Sequence, residues 1–249
     1  MSKVITVSNR KGGVGKTTTA VNLGHGLALK CKSVLLVDVD PQGHIAPALG
    51  LEQESGLFDL LVSGRLLRET IRRARENLWI VPGNQRTATA EAMLIYERAQ
   101  PAVLRKALAG NANGGPEYII FDTAPSVGRL QEFALWISDL VLIPSAVDFL
   151  SSAGIVDLVT ELFGFKEEKG WEGELLGVLP TFYDEVTRQS RSSLGELRDA
   201  FGDLVLSPLH RATVLRECTS EGKTIFEMAP TSRAAEEYAA LVWSVLNVR

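Results

Sequence analysis

A glycine-rich segment near the start of the chain has the residue types and order of a phosphate-binding loop. It reads Arg10-Lys11-Gly12-Gly13-Val14-Gly15-Lys16-Thr17-Thr18. Glycines let the backbone curl so that successive N–H groups point at phosphate oxygens, and a helix that starts at the loop adds the positive end of its dipole. In such loops the lysine reaches the β- and γ-phosphates and the next hydroxyl binds Mg²⁺, which assigns these roles to Lys16 and Thr17. A glycine turn that only precedes a helix is the alternative interpretation.

Two further segments place carboxylates directly after buried, strand-like runs. Asp38 and Asp40 follow one apolar run at 34–37, and Asp122 ends another at 118–121. Ligands bind at the carboxyl ends of strands in open α/β sheets, so these aspartates are candidates for binding metal or positioning water. A single aspartate after a strand is usually a helix cap, and an apolar run ending in aspartate is common by chance. Their occurrence together, beside a phosphate loop, favours the functional interpretation.

The elements that must position these residues follow from the hydrophobic pattern. Short apolar runs alternate with segments of helical period, which predicts one doubly wound α/β domain over residues 1–249, with a mostly parallel sheet and helices on both faces. The predicted strands are 4–8, 33–38, 78–81, 118–122, 140–144, 175–181 and 204–206. The predicted helices are 16–29, 58–63, 67–74, 88–108, 129–137, 151–169, 190–201 and 232–246. The turn-rich stretch 110–116 is predicted to be a short connector.

Composition narrows the class of protein. The chain is 45% hydrophobic and 22% charged, as in soluble globular proteins, and nothing approaches the roughly 18 consecutive apolar residues of a membrane span. The N-terminus runs straight into a strand-like segment, so no signal peptide is expected. Cys31 and Cys218 stand far apart and are expected to be reduced thiols of a cytoplasmic protein. The net charge of −4 argues against a wholly basic nucleic-acid binder but allows a local basic face.

The loop departs from the common P-loop at its first glycine, where Arg10 stands, and Lys11 adds a second lysine. In this deviant Walker A form the chain resembles the ParA/MinD family of ATPases. The segment Asp38-Val39-Asp40-Pro41-Gln42-Gly43 is similar to the family's switch I. The segment Asp122-Thr123-Ala124-Pro125-Ser126 is similar to its Walker B and switch II, with Ala124 in place of a usual proline.

The resemblance implies an ATPase that uses Mg²⁺. It also implies that Lys11 reaches across a two-fold interface and contacts the ATP of a second copy, so that ATP holds a homodimer together. The alternative is that Lys11 is only a solvated lysine beside the loop. Lys11, Lys16 and Asp40 are the catalytic candidates, with Asp40 positioning the attacking water. The predicted metal site comprises Thr17, Asp38 and Asp122. The predicted ATP contacts are Lys11, Gly12, Gly13, Val14, Gly15, Lys16, Thr17, Thr18, Thr181, His210 and Ala212.

The last of these contacts come from two C-terminal segments that extend the resemblance. Thr181-Phe182-Tyr183-Asp184 is similar to the family's Thr-x-Tyr-Asp strand end. His210-Arg211-Ala212 is similar to its Pro-Arg-Asn stretch, which lines the adenine. His210 and Ala212 replace the proline and the asparagine, which leaves backbone-only contact with adenine as an alternative.

Three kinds of family member are considered. A MinD-like membrane switch needs a basic amphipathic C-terminal helix, whereas residues 238–249 contain one basic residue and are predicted to form a core-packed helix. A relative of the nitrogenase iron protein needs two cysteines that bridge a cluster, and Cys31 and Cys218 do not fit. A ParA-type positioning ATPase, cytoplasmic and nucleoid-associated when bound to ATP, is therefore expected.

The ParA-type interpretation implies further partners. The dimer is expected to bind DNA without sequence preference, through a basic face. The alternative is that the candidate residues are ordinary surface cations with no role in DNA binding. The candidates are Arg188, Arg191, Arg211, Arg216, Lys223 and Arg233. Because no arginine-finger motif is identifiable, hydrolysis is expected to be slow until a ParB-like or other cargo adaptor protein stimulates it. No membrane partner is expected.

Overall fold

The computed structural model describes residues 2–109, 115–147 and 153–248. Its sheet has seven strands in the order β3-β4-β2-β5-β1-β6-β7. The strands are β1 Lys3–Val7, β2 Val34–Asp38, β3 Arg72–Arg75, β4 Leu78–Val81, β5 Tyr118–Asp122, β6 Leu140–Ala146 and β7 Glu174–Thr181. All pairs are parallel except β3 with β4. The mostly parallel, doubly wound α/β class predicted from the sequence is confirmed.

Helices of varied length cover both faces of the sheet. They are α1 Lys16–Leu29, α2 Ile45–Ala48, α3 Gly56–Leu61, α4 Leu67–Thr70, α5 Arg86–Tyr96, α6 Ala102–Leu108, α7 Arg129–Ile137, α8 Ala153–Lys169, α9 Arg188–Phe201, α10 Val214–Ser220, α11 Ile225–Met228 and α12 Arg233–Leu246. A core cluster that includes Leu23, Ile5 and Val242 lies under α1 and α12, and another that includes Val37 and Phe133 lies under α7. Among the described residues, no helix is long and apolar enough to cross a membrane.

The predicted helix 88–108 is wrong as one element. The structure has α5 and α6 instead, separated by a turn in which Arg98 adopts a left-handed φ of 52°. Pro101 disfavours helical backbone at the residue before it, which stops a continuous helix at this point.

The predicted helix 67–74 is also wrong beyond its first turn. Residues Arg72–Arg75 form the antiparallel edge strand β3, joined to β4 by a turn in which Asn77 has a left-handed φ of 56°. Asparagine tolerates this conformation, so the chain can turn here and pair with β4 even though the apolar residues of 67–74 have helical spacing.

The predicted strand 204–206 is wrong as well: Gly202–Leu204 is one 3₁₀ turn, and Val205 makes only an isolated bridge with Val178. Part of the predicted connector 110–116, and the start of the predicted helix 151–169, lie outside the described residues.

The strand order brings three strand ends together. Val7, the last residue of β1, is level with Asp122 at the end of β5, and Asp122 is level with Asp38 at the end of β2. The segments that follow these strands therefore start side by side at one edge of the sheet.

Candidate nucleotide-binding site

The glycine-rich loop leaves β1 and enters α1 as the sequence predicts. Gly13 and Gly15 have φ values of 71° and 88°, in the left-handed region that favours glycine. Gly15 is the N-cap of α1 and supplies no side chain, so the first N–H groups of the helix are left to a ligand. This is the geometry of an anion-binding loop.

Neighbouring strands hold the loop in place. The side chain of Asn9 donates to the carbonyl of Pro144 at 2.7 Å and accepts from the N–H of Lys11 at 2.9 Å. The hydroxyl of Thr181, at the end of β7, donates to the carbonyl of Val14 at 2.9 Å. The structure thus places Thr181 against the loop backbone, where it acts as an anchor.

Lys16 lies inside the site with its side chain largely buried. Its Nζ donates to the carbonyl of Lys11 at 2.9 Å. Burial lowers the pKa of Lys16, while the nearby charges of Asp122 and Asp40 partly oppose that effect. The sequence-predicted lysine and both of these predicted carboxylates therefore share one electrostatic environment.

Thr17 and Asp122 form the contact expected of a P-loop metal site. The Thr17 hydroxyl donates to Oδ2 of Asp122 at 2.6 Å. The other oxygen, Oδ1, is buried and has no hydrogen-bond partner among the described residues. Burial raises the pKa of Asp122 to about 7.

A hard cation fits this arrangement, because it would satisfy the orphaned oxygen and favour the charged carboxylate. No group of three or more His, Cys, Asp or Glu side chains in the described part of the chain is placed to hold a metal by itself. That suits Mg²⁺, which is usually bound through one or two protein oxygens together with phosphates and water.

The two aspartates after β2 differ in their surroundings. Asp38 is fully buried, and its carboxyl oxygens accept the backbone N–H groups of Asp40 at 3.1 Å and Ile45 at 2.9 Å. Burial raises the pKa of Asp38 well above its usual range. Asp40 is slightly exposed and accepts the N–H of Gln42 at 2.8 Å. Asp38 thus shapes the loop that carries Asp40, and its role in the metal site stays a prediction.

A cavity of about 470 Å³ continues from the loop toward the C-terminal segments. His210 and Ala212, predicted from the sequence, line it together with Thr181. The His210 ring is already bound, with Nδ1 at 2.6 Å from Oε1 of Glu237. Lining residues with no predicted role in nucleotide binding are Phe182, Leu209, Arg211, Thr213, Leu215, Arg216, Thr219 and Tyr238.

Phe182 is the clearest residue that the sequence did not reveal. It has a left-handed φ of 56°, which is rare for a bulky residue, and the Arg211 guanidinium lies 5.9 Å from its ring centroid. The aromatic ring and the guanidinium together bound one side of the cavity, where a planar base could stack. Neither its backbone angle nor its partner is encoded in a motif.

The six predicted DNA-contact residues are all exposed but do not share one environment. Arg211 and Arg216 line the cavity beside the loop. Arg233 is ion-paired with Glu185 at 3.1 Å and Glu237 at 2.9 Å. Arg191 donates to two backbone carbonyls, Lys223 lies 3.9 Å from a carboxylate of Glu221, and Arg188 begins α9.

The C-terminal helix is packed as the sequence predicts. Its buried face includes Tyr238, Leu241 and Val245, which join the core cluster under α1. Cys31 follows α1 and is exposed, whereas Cys218 is buried in α10, and both are free thiols.

The fold and the loop define a P-loop nucleotide-binding protein: a mostly parallel sheet, a glycine loop between β1 and α1, and aspartates at the adjacent strand ends. Comparison with known proteins supports a narrower assignment. The family model described as an AAA domain matches residues 2–171. The sporulation initiation inhibitor protein Soj of Bacillus subtilis is 36% identical over 250 residues, which is 98% of each chain.

Two further relatives agree. The chromosome-partitioning ATPase Soj of Thermus thermophilus is 34% identical over 243 residues, 97% of this chain and 94% of its own. Cobyrinic acid a,c-diamide synthase of Mycobacterium smegmatis, solved with an ATP analogue and magnesium, superposes with a TM-score of 0.84 at 28% identity, covering 99% of this chain and 95% of that chain. The chain belongs to the ParA/MinD family of P-loop ATPases.

Proposed function

We propose that this protein is a positioning ATPase that binds ATP and Mg²⁺, dimerises around the nucleotide, binds DNA without sequence preference and moves a cargo. One observation carries the nucleotide assignment: buried Lys16 and Thr17, which donates to Asp122 at the end of β5, begin a helix whose N-terminus has no side-chain cap. The identity with two Soj proteins over nearly the whole chain supports the positioning role.

The residues of the site divide the work of phosphoryl transfer. Loop N–H groups and Lys16 bind the phosphates, and Thr17 and Asp122 would hold Mg²⁺. When bound, the metal would neutralise charge that develops on the phosphate oxygens. Asp40, which is slightly less buried than Asp38, positions water for attack. Lys11 reaches the nucleotide of the second copy, and Phe182 with Arg211 contacts the base.

Slow intrinsic hydrolysis and a stimulating partner complete the proposal. A basic peptide from a cargo adaptor would dock near Glu52, Glu54 and Asp59, which follow switch I. The structure supports Glu52 best, because it is exposed, whereas Glu54 is paired with Arg72 and Asp59 with Arg65 and Arg86. The protein would be cytoplasmic and associate with the nucleoid in its ATP-bound state.

The membrane-associated alternative has less support. A helix that binds a membrane surface needs a free apolar face flanked by basic residues. The apolar face of α12 is instead used in the core, and its own basic residue, Arg233, is ion-paired.

Two variants test the switch. Lys16→Ala should lose nucleotide binding, because the buried ammonium that meets the phosphates is removed. Asp40→Ala should bind ATP but not hydrolyse it, and should accumulate as a dimer with ATP and Mg²⁺. Light scattering after size-exclusion chromatography and titration calorimetry measure both effects. An Asp40→Ala protein that stays monomeric in saturating ATP would refute the dimer, and one that hydrolyses ATP normally would refute the role of Asp40.

A further inference from the structure

A second cavity, of about 580 Å³, lies near the start of β5, at the ends of the strands opposite the phosphate loop. It is bounded by α3, α4 and α6 and by Pro116, which precedes β5. The start of β5 pairs with the start of β1, whereas the loop follows the end of β1. The cavity, called the α4–α6 groove below, is therefore separate from the nucleotide site.

The floor of the α4–α6 groove is apolar and partly open to solvent. Leu60, Leu67, Ile71 and Val103 line it. Leu66 stands at the mouth with 47% of its surface exposed. Concave apolar surface of this size on a folded chain is typical of a binding site.

The rim of the groove is basic. Arg65, Arg68 and Lys106 line it, and no Asp or Glu is among its described lining residues. Arg65 has a distant carboxylate partner, Asp59, at 3.6 Å. Arg68 and Lys106 are exposed and make no ion pair with any part of the chain that the structure describes. The ligand that complements this groove carries both apolar and anionic groups.

Strand β3, which follows α4, adds positive charge mainly through exposed Arg73, because Arg72 is ion-paired with Glu54 and Arg75 with Glu227. Residues 65–75 contain five arginines and a single acidic residue, Glu69. Glu69 is occupied as a cap, accepting the N–H of Leu66 at 2.9 Å. Arginines on β3 also discourage strand-to-strand pairing at this edge, which favours side-chain docking over sheet extension.

We propose that the α4–α6 groove binds an acidic amphipathic helix of another protein, with leucine-like side chains on the floor and carboxylates on Arg68 and Lys106. A helix laid in a groove presents apolar residues at i, i+3, i+4 and i+7 with charges beside them, which matches this floor and rim. A membrane surface fits less well, because α4 and α6 have four and seven residues, too short for an interfacial helix. This inference does not depend on ATP hydrolysis.

The test uses the full chain and a fluorescein-labelled peptide of about five helical turns, with leucine at i, i+3, i+4 and i+7, glutamate beside the leucines and alanine elsewhere to keep it helical. Fluorescence anisotropy should show saturable binding that weakens with salt and is unchanged by Lys16→Ala. Charge reversal at Arg68 and Lys106 together should weaken it by on the order of tenfold or more. Leu66→Ser should also weaken it, and because Leu66 is half exposed the core is left intact.

Controls make the result decisive. Arg198→Glu, an exposed helical cation on α9, should leave binding unchanged, and circular dichroism confirms that each variant is folded. The proposal is overturned if the peptide does not saturate, if a scrambled peptide of the same composition binds equally, or if Arg198→Glu has the same effect. Binding to phosphatidylglycerol vesicles instead of the peptide would overturn the assignment to a protein partner.

Discussion

At the scale of single residues, Arg10 shows how this chain differs from the usual P-loop. It occupies the position of the first glycine, and its guanidinium donates to Glu161 of α8 at 2.8 Å, with Asp157 more distant at 3.6 Å. Arg10 and Glu161 are half-buried, with 28% and 22% of their side chains exposed. The ion pair ties the start of the phosphate loop to α8.

Breaking this pair should weaken ATP binding. Arg10→Ala and Glu161→Ala should each reduce affinity about three- to tenfold, because the loop loses a tether that holds it ready for phosphate. Titration calorimetry of both variants and of the double variant gives the coupling energy. Asp157→Ala is the matched control, since Asp157 is 59% exposed and farther away, and it should have little effect. Strictly additive single effects would contradict the coupling.

The residues of the site were predictable to different degrees. Lys16, Thr17 and Asp122 were predicted as one site, and the structure brings them together because β1 and β5 are neighbours. Phe182 was not predicted, since its relevance depends on a left-handed backbone and on the approach of Arg211 from a distant segment. The ion pair of Arg233 with Glu185 was equally invisible, because Glu185 reaches it from outside its own helix, whereas Glu237 lies four residues along the same helix.

At the scale of elements, α1 does more than present the loop. His25, near its middle, is buried against α11, with Nδ1 at 2.6 Å from the Thr224 hydroxyl and its ring edge-on to Phe226. Burial lowers the pKa of His25, and Arg75 adds to this effect while Glu227 opposes it. The α1–α11 contact therefore favours neutral histidine.

Acid should weaken this contact. The pKa of His25 is lower in the folded chain than its unfolded value of 6.5, so its contribution is complete above that pH and is lost as pH falls below it. The loss is at most about 1.4 kcal/mol per pH unit. Denaturant unfolding of the wild type and His25→Gln between pH 7.5 and about 5.5 measures it. The free energy of unfolding of the variant should fall less steeply toward acid than that of the wild type, and identical slopes would contradict the prediction. The buried aspartates titrate alike in both proteins, so their effect cancels in the comparison.

Elements were predictable where burial was uniform. The strands at 78–81 and 118–122 were predicted with their observed bounds, because runs buried on both faces are apolar throughout. The helices α2, α10 and α11 were missed, since four to seven residues give few turns for a helical period, although the six-residue α3 was predicted at 58–63. Strand β3 was missed because its arginines suit an exposed edge and carry no hydrophobic alternation.

At the scale of the whole molecule, DNA binding should depend on the ATP-bound dimer. A dimer doubles the phosphate contacts of an acidic monomer, so binding should ignore sequence and weaken steeply with salt. The triple variant Arg188→Ala, Arg191→Ala, Lys223→Ala should lower affinity without altering ATP binding. Arg233→Ala is the internal control, since two carboxylates already neutralise its charge. Filter binding over a salt series measures both; equal binding by the nucleotide-free monomer would contradict the model of an ATP-gated dimer.

Hydrolysis by the assembled protein should respond to a partner. No arginine-finger motif is identifiable in the sequence, so the ATPase rate with DNA should be low. It should rise when a short basic peptide from the adaptor binds the dimer near Glu52. Phosphate release is measured with the adaptor and with a version whose N-terminal basic residue is alanine. Glu52→Gln should blunt the stimulation, and a fast basal rate that neither DNA nor the adaptor changes would point to a housekeeping ATPase.

The strand order also governs when the protein can become active during its synthesis. β1 precedes the other strands of the described sheet, where it pairs with β5 and β6, which end at Asp122 and Ala146. A ribosome adds about 5 to 20 residues per second, so the nascent phosphate loop waits several seconds with neither flanking strand in place. Until then the chain exposes the apolar faces of β1 and α1, and chaperones are best placed to act on it during that interval.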